Sequence, residues 1–140
     1  MAIPIVDVNY LAVLVAAVVG FLIGAIWYSV LFGKAWTRLS GFTQADMEKA
    51  KKKGMAKSYL AMFIATIVMA YVLAHVVAFA QAATFADALM AGFWTWLGFI
   101  ATVLLGTVLW EGKPVKLYLI NVSHYLVVLL VMASILVMWA

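Results

Sequence analysis

The 140-residue sequence contains no cysteine, two prolines and only five acidic residues. Without cysteine the chain has no disulfide, no thiol nucleophile and no iron–sulfur ligand. The five carboxylates are scattered, so they offer no pair for acid–base catalysis, and neither a Walker loop nor an H-E-x-x-H or G-x-S-x-G motif occurs. We therefore predict that the protein is not an enzyme and has no cofactor or metal centre.

Charged residues are also scarce, at 10% of the sequence, whereas hydrophobic residues make up 69%. A soluble domain carries about 25% charged residues because its surface faces water. Most of the surface of this chain must therefore face lipid. We predict an all-α, polytopic integral membrane protein whose residues 1–140 form a single transmembrane domain.

Four apolar segments are long enough to cross a membrane as helices, over about residues 10–31, 59–80, 85–109 and 117–139. About 20 apolar residues suffice to cross the hydrocarbon core. The first two spans are joined by a basic connection, residues 33–57. In it, Thr43 and Asp46 have the spacing of a capping box, and Gly54 suits a helix C-terminus. We predict a short surface helix over residues 44–53.

The distribution of cations predicts the orientation. Seven of the nine Lys and Arg residues lie in the first connection, and the other two lie between the third and fourth spans. Both connections fall at the same end of a four-helix bundle, and basic loops are retained in the cytoplasm. We expect both termini on the opposite side. Cations placed between hydrophobic spans favour anionic lipid headgroups over nucleic acid as partners, with contacts from Lys34, Arg38, Lys51, Lys52 and Lys53.

Small residues recur at four-residue spacing in two spans. One set is Ala12, Ala16, Gly20 and Gly24; the other is Gly98, Thr102 and Gly106. Such a face lets another helix approach closely, which stabilises helix association in lipid. We therefore predict helix packing through both faces. The fourth span has few small residues, and we expect it at the bundle periphery or against a neighbouring subunit.

Polar side chains inside lipid are costly and usually have partners. The candidates for a polar pocket are His75, Glu111, Asn121 and His124. One hypothesis is a pocket open to the cytoplasm, in which Glu111 and His124 bind or relay a proton or cation. The alternative is that Glu111 pairs with nearby cations at the headgroups while Asn121 bridges helices. Haem ligation by both histidines is disfavoured, since they would differ in depth by about 15 Å.

Several local motifs together resemble a known family over nearly the whole chain. They are Asn9-Tyr10-Leu11-Ala12-Val13, Trp27-Tyr28-Ser29, Leu31-Phe32-Gly33-Lys34-Ala35-Trp36, Ala70-Tyr71-Val72-Leu73-Ala74-His75, Trp96-Leu97-Gly98-Phe99, Trp110-Glu111-Gly112 and Leu119-Ile120-Asn121. The family comprises small bacterial membrane proteins known only as a domain of unknown function. The resemblance implies four transmembrane helices in the bacterial cytoplasmic (inner) membrane, and it brings no activity or catalytic residue.

Two functional hypotheses follow. The first is a structural or accessory subunit that forms a homo-oligomer or docks on another membrane protein through its small-residue faces. The second is an oligomeric channel or carrier for a small ion or solute, which the polar residues of spans two to four favour.

Overall fold

The computed structural model describes residue 3 and residues 5–139, and in this part of the chain the regular structure is helical. Four helices have the length and apolar composition to cross a membrane: Tyr10–Leu31, Ala56–Phe79, Phe85–Leu109 and Val115–Met138. At 1.5 Å per residue, helices of this size are about 33–38 Å long, enough for a hydrocarbon core of about 30 Å. The prediction of an all-α fold with four candidate membrane spans is confirmed.

Two of the spans contain a π-helical segment. The first span consists of α1 (Tyr10–Ile26) and a π-helical segment (Trp27–Leu31). The second span is the uninterrupted α4 (Ala56–Phe79). The third consists of α5 (Phe85–Trp96), a second π-helical segment (Leu97–Ala101), and the short helices α6 (Thr102–Leu104) and α7 (Gly106–Leu109). The fourth is the uninterrupted α8 (Val115–Met138).

The basic connection between the first two spans contains two further helices, α2 (Gly33–Ser40) and α3 (Gln44–Lys53). Thr43 accepts a hydrogen bond from the backbone N–H of Asp46, whose carboxylate in turn accepts one from the backbone of Thr43. Gly41 and Gly54 follow α2 and α3 with φ angles of 80° and 85°, a region that L side chains rarely adopt. The predicted surface helix, including its capping box, is confirmed.

The fourth span is the centre of the bundle, so the prediction that it lies at the periphery is wrong. α8 packs against α1, α4 and α5. Buried residues make up 44% of its most apolar stretch, compared with 17–28% in the other spans. The prediction failed because it required small residues on the central helix itself. Here the neighbours supply them, and the bulky side chains of α8 fill the space.

The small-residue face of α1 packs inside the bundle. Ala12, Ala16 and Gly20 are buried, and Gly24 is half-buried. A Cβ built on Gly20 would lie 2.8 Å from the sulfur of Met132, which is fully buried on α8. This face therefore meets α8 within the chain. It is not exposed to a second copy.

The small-residue face of the third span points outward. Gly98 and Thr102 are exposed and Gly106 is half-buried. A Cβ on Gly98 would meet no atom within 4 Å. The close contact between this span and α8 is made by a different glycine, Gly92, where a Cβ would lie 3.1 Å from the carbonyl oxygen of Leu129. Gly92 was not among the residues predicted for helix packing.

Candidate functional site

Aromatic side chains of the first and third spans donate hydrogen bonds to α8 near its first turns. The indole nitrogen of Trp27 lies 3.1 Å from the carbonyl oxygen of Ile120. The indole nitrogen of Trp96 lies 2.7 Å from the carbonyl oxygen of Val122. Buried indole groups need such a partner, and in lipid water does not supply one. Both tryptophans therefore fix the position of α8 along its axis.

The π-helical segments lie next to these contacts. Trp27 begins the first segment, and Trp96 directly precedes the second. The hydroxyl of Tyr118 on α8 donates to the carbonyl oxygen of Ala101, the last residue of the second segment, across 2.6 Å. A π-helical turn adds one residue to the helix and is frequently found at functional sites. Here both turns border the polar contacts with α8.

Tyr28 links the first span to a polar side chain of α8. Its hydroxyl donates to the side-chain oxygen of Asn121 across 2.8 Å. Tyr28 follows Gly24 by four residues, so it continues the small-residue face that meets α8. That spacing is the signal from which this contact could have been predicted, although Tyr28 was not among the residues predicted for the pocket.

His124 lies one turn further along α8 and is only 6% exposed. Its ring centroid is 4.9 Å from that of Tyr28, and a Cβ on Gly24 would lie 3.1 Å from its Nε2 atom. Among the described residues, neither ring nitrogen has a hydrogen-bond partner. A neutral imidazole carries one donor and one acceptor, and burying both without partners is unfavourable. His124 thus has hydrogen-bonding capacity that no described residue uses.

We call Tyr28, Asn121 and His124 the polar cluster. It brings together two of the four residues predicted for a polar pocket, Asn121 and His124. The other two lie elsewhere. Glu111 is exposed after α7. His75 lies on α4, where its Nδ1 donates to the carbonyl oxygen of Tyr71 across 2.9 Å, which leaves the Nε2 lone pair as an acceptor.

The polar cluster has the chemistry of a hydrogen-bonding or proton-exchanging site. Imidazole, phenol and amide can each donate and accept hydrogen bonds. In the part of the chain that the structure describes, no group of three or more His, Asp, Glu or Cys residues is placed to hold a metal ion. The cluster also contains no carboxylate that would balance a bound cation.

The predicted headgroup contacts fall into two groups. Lys34 and Arg38 line a groove of about 460 Å³ beside Tyr28, at the end of the bundle that carries the basic connections. We call this the basic end. Lys51, Lys52 and Lys53 lie at the end of α3 and are exposed. All five are accessible, but only Lys34 and Arg38 line the groove.

The comparison with known proteins agrees with the sequence-based resemblance. A family model described as "Protein of unknown function (DUF1761)" matches residues 11–137, which include nearly all of the four candidate spans. No curated protein and no solved structure matches the chain. The resemblance to a family known only as a domain of unknown function is thereby confirmed. The chain belongs to the DUF1761 family.

Proposed function

We propose that the protein is a non-enzymatic membrane subunit that assembles with further copies of itself through the outer face of its third span. The observation that carries this proposal is the exposed small-residue face formed by Gly98 and Thr102. The third span is also the least buried, with 17% of its most apolar stretch inside the bundle. The comparable face of α1 is already occupied by α8, so it has no room for another helix.

The third-span face suits helix association in lipid for two reasons. The space beside Gly98 is open, so a second helix can approach its backbone closely. The hydroxyl of Thr102 donates to the carbonyl oxygen of Gly98 across 2.7 Å. This donor therefore needs no hydrogen-bond partner on a neighbouring helix. Phe99 and Val103, which are 72% and 68% exposed, are bulky side chains beside the small-residue face of the third span. Small residues next to large ones allow two such faces to interlock.

The test is the oligomeric state of the full chain in lipid nanodiscs or mild detergent, measured by native mass spectrometry and by energy transfer between labelled copies. A Cβ at Gly98 would meet no atom within 4 Å, so we expect Gly98→Leu to fold and to fill the space beside the exposed small-residue face. We expect it to weaken association roughly 5- to 30-fold, which corresponds to about 1–2 kcal/mol. The matched control is Ala61→Leu, which enlarges an exposed small residue on α4.

Three outcomes would contradict this assignment. A strictly monomeric wild-type chain under all of these conditions would exclude a homo-oligomer. If Ala61→Leu instead of Gly98→Leu dissociated the assembly, the interface would lie on the second span. A partner protein in place of a second copy would appear as a heteromeric mass that Gly98→Leu abolishes.

A second candidate function is a carrier or channel for protons or a small cation, and the observation that favours it is the buried His124. Its ring nitrogens are unpartnered among the described residues, and the neighbouring Tyr28 reaches the groove at the basic end. Intramembrane histidines are common in proton pathways. Under this candidate function, protons enter from the groove and exchange at His124.

Flux in proteoliposomes separates the two candidates. The carrier requires proton or cation flux that His124→Leu abolishes and His75→Leu preserves, since His75 lies outside the polar cluster. His124→Leu removes no hydrogen bond that the described residues show, but the ring is buried against Tyr28, so circular dichroism of the variant must show that the fold is retained. If the wild type shows no flux over a broad panel of ions, the carrier is excluded and the membrane-subunit function remains.

For the orientation we infer that the basic end faces the cytoplasm of a bacterial cell, with both chain ends across the inner membrane. The support is the distribution of cations, all nine of which lie in or next to the two connections at that end. Reporter fusions at residue 139 and within α3 test it. A cytoplasmic reporter at the C-terminal position would reverse the assignment.

A further inference from the structure

The groove at the basic end lies where the first span turns into α2. Six residues line it: Tyr28, Ser29, Gly33, Lys34, Thr37 and Arg38. Two of these side chains are cations and none is a carboxylate. The groove is therefore a shallow, open surface of one charge sign at the border between the apolar span and the polar connection.

The two cations lie on one face of α2, which follows the first π-helical segment. After this segment the chain enters α2 at Gly33, where a Cβ would lie 2.9 Å from the carbonyl oxygen of Tyr28. Lys34 and Arg38 are four residues apart on α2 and both are exposed, so they share one helix face. Thr37 already donates to the carbonyl oxygen of Gly33 across 2.8 Å. The charged groups are thus the principal donors left for a ligand.

Exposed apolar residues lie between the groove-lining residues Ser29 and Gly33 in the sequence. Val30 and Leu31 are 80% and 57% exposed at the end of the first span. A ligand that fills the groove and also contacts these residues needs a negatively charged head and a hydrocarbon tail. We propose that this groove binds one anionic phospholipid, whose phosphodiester headgroup is held by Lys34 and Arg38 while an acyl chain lies along Val30 and Leu31.

This site differs from the lysine cluster of α3. Lys51, Lys52 and Lys53 are exposed on a helix without buried residues, and they do not line this groove. They attract anionic headgroups through the long-range field, which neither selects one lipid nor holds it in place. The groove can retain a single lipid through charge, shape and acyl contact together.

Native mass spectrometry of the full chain tests the proposal, with phosphatidylglycerol and phosphatidylcholine added in equal amounts. We expect one phosphatidylglycerol molecule retained per chain. The double variant Lys34→Gln with Arg38→Gln should lose roughly 10- to 30-fold in retention. The control, Lys51→Gln with Lys52→Gln, removes the same charge from α3 and should change retention less than about twofold. The charge-conserving double variant Lys34→Arg with Arg38→Lys should retain the lipid as the wild type does.

Three results would overturn the proposal. If both double variants lost the same amount of phosphatidylglycerol retention, binding would depend on diffuse charge attraction and not on this groove. Equal retention of phosphatidylcholine would exclude a site for anionic headgroups. Displacement of the lipid by millimolar inorganic phosphate, with phosphate itself retained one per chain, would assign the groove to free phosphate instead of a lipid.

Discussion

The hydroxyl of Tyr28 donates to the side-chain oxygen of Asn121 across 2.8 Å, and the two residues are 93 positions apart in the sequence. The bond joins the first span to the central helix at the point where the first π-helical segment begins. Tyr28 also lines the groove that holds Lys34 and Arg38. One side chain therefore connects the surface of the basic end with the polar residues inside the bundle.

Removing this hydroxyl should destabilise the bundle. Tyr28→Phe keeps the ring and leaves the oxygen of Asn121 without its donor, and we expect a loss of about 0.5–2 kcal/mol in the free energy of unfolding. The measurement is reversible unfolding in mixed micelles followed by circular dichroism. Tyr59→Phe is the control, since Tyr59 is 57% exposed. Equal stabilities of the two variants would show that the bond between Tyr28 and Asn121 contributes nothing.

The two tryptophans of the third span should differ in the same assay. Trp96 donates to the carbonyl oxygen of Val122, whereas Trp94 is 59% exposed. Trp96→Phe removes the donor and part of a packed ring, so we expect a loss of about 1–3 kcal/mol. Trp94→Phe should change stability by less than about 0.5 kcal/mol. A larger effect at Trp94 would place that ring in a contact between chains and would support an interface on the third span.

The features that depend on residues close together in the sequence could be predicted from it. The four spans follow from the lengths of apolar segments. The surface helix α3 follows from the spacing of Thr43 and Asp46, because a capping box satisfies backbone groups only three residues apart. The first residues of the spans shift by at most three positions, with the second span beginning at Ala56 instead of Tyr59.

The central position of α8 and the polar cluster depend on which helix faces meet, and this is not a local property. The small residues that accommodate α8 lie on α1 and α5. The composition of α8 alone therefore led to the wrong prediction that this helix is peripheral. The π-helical segments posed a further difficulty. Each adds a residue to its turn, so faces counted at four-residue spacing no longer align across it. The faces of the third span therefore have to be assigned residue by residue: Gly92 faces α8, and Gly98, six residues further on, faces outward.

The capping box of α3 should make that helix sensitive to acid. The backbone N–H and the hydroxyl of Thr43 stabilise the ionised form of Asp46 and lower the pKa of its carboxyl. A lowered pKa in the folded state means that the stabilisation is present above the unfolded pKa and is lost as the pH falls through the folded one. We therefore expect the amides of α3 to lose protection from hydrogen exchange as the pH falls below about 4.

Asp46→Asn should remove this pH dependence, because its side chain does not titrate. Glu48→Gln, two residues further along α3, should retain it, since Glu48 is not part of the capping box. Hydrogen exchange by mass spectrometry, corrected for the intrinsic pH dependence of the rate, follows both variants. Acid sensitivity that persists in Asp46→Asn would have to come from another carboxylate.

Gly92 and Gly98 provide a direct test of which face of the third span packs inside the bundle. A Cβ at Gly92 would lie 3.1 Å from the carbonyl oxygen of Leu129 and 3.3 Å from its carbon, so the backbone of α8 would have to move. We expect Gly92→Ala to destabilise the chain by about 1–3 kcal/mol, measured by unfolding in mixed micelles. A Cβ at Gly98 meets no atom within 4 Å, and alanine is the better helix former. Gly98→Ala should therefore leave the monomer as stable as the wild type or slightly more stable. The reverse order would mean that the third span is rotated about its axis, with the face of Gly98 against α8.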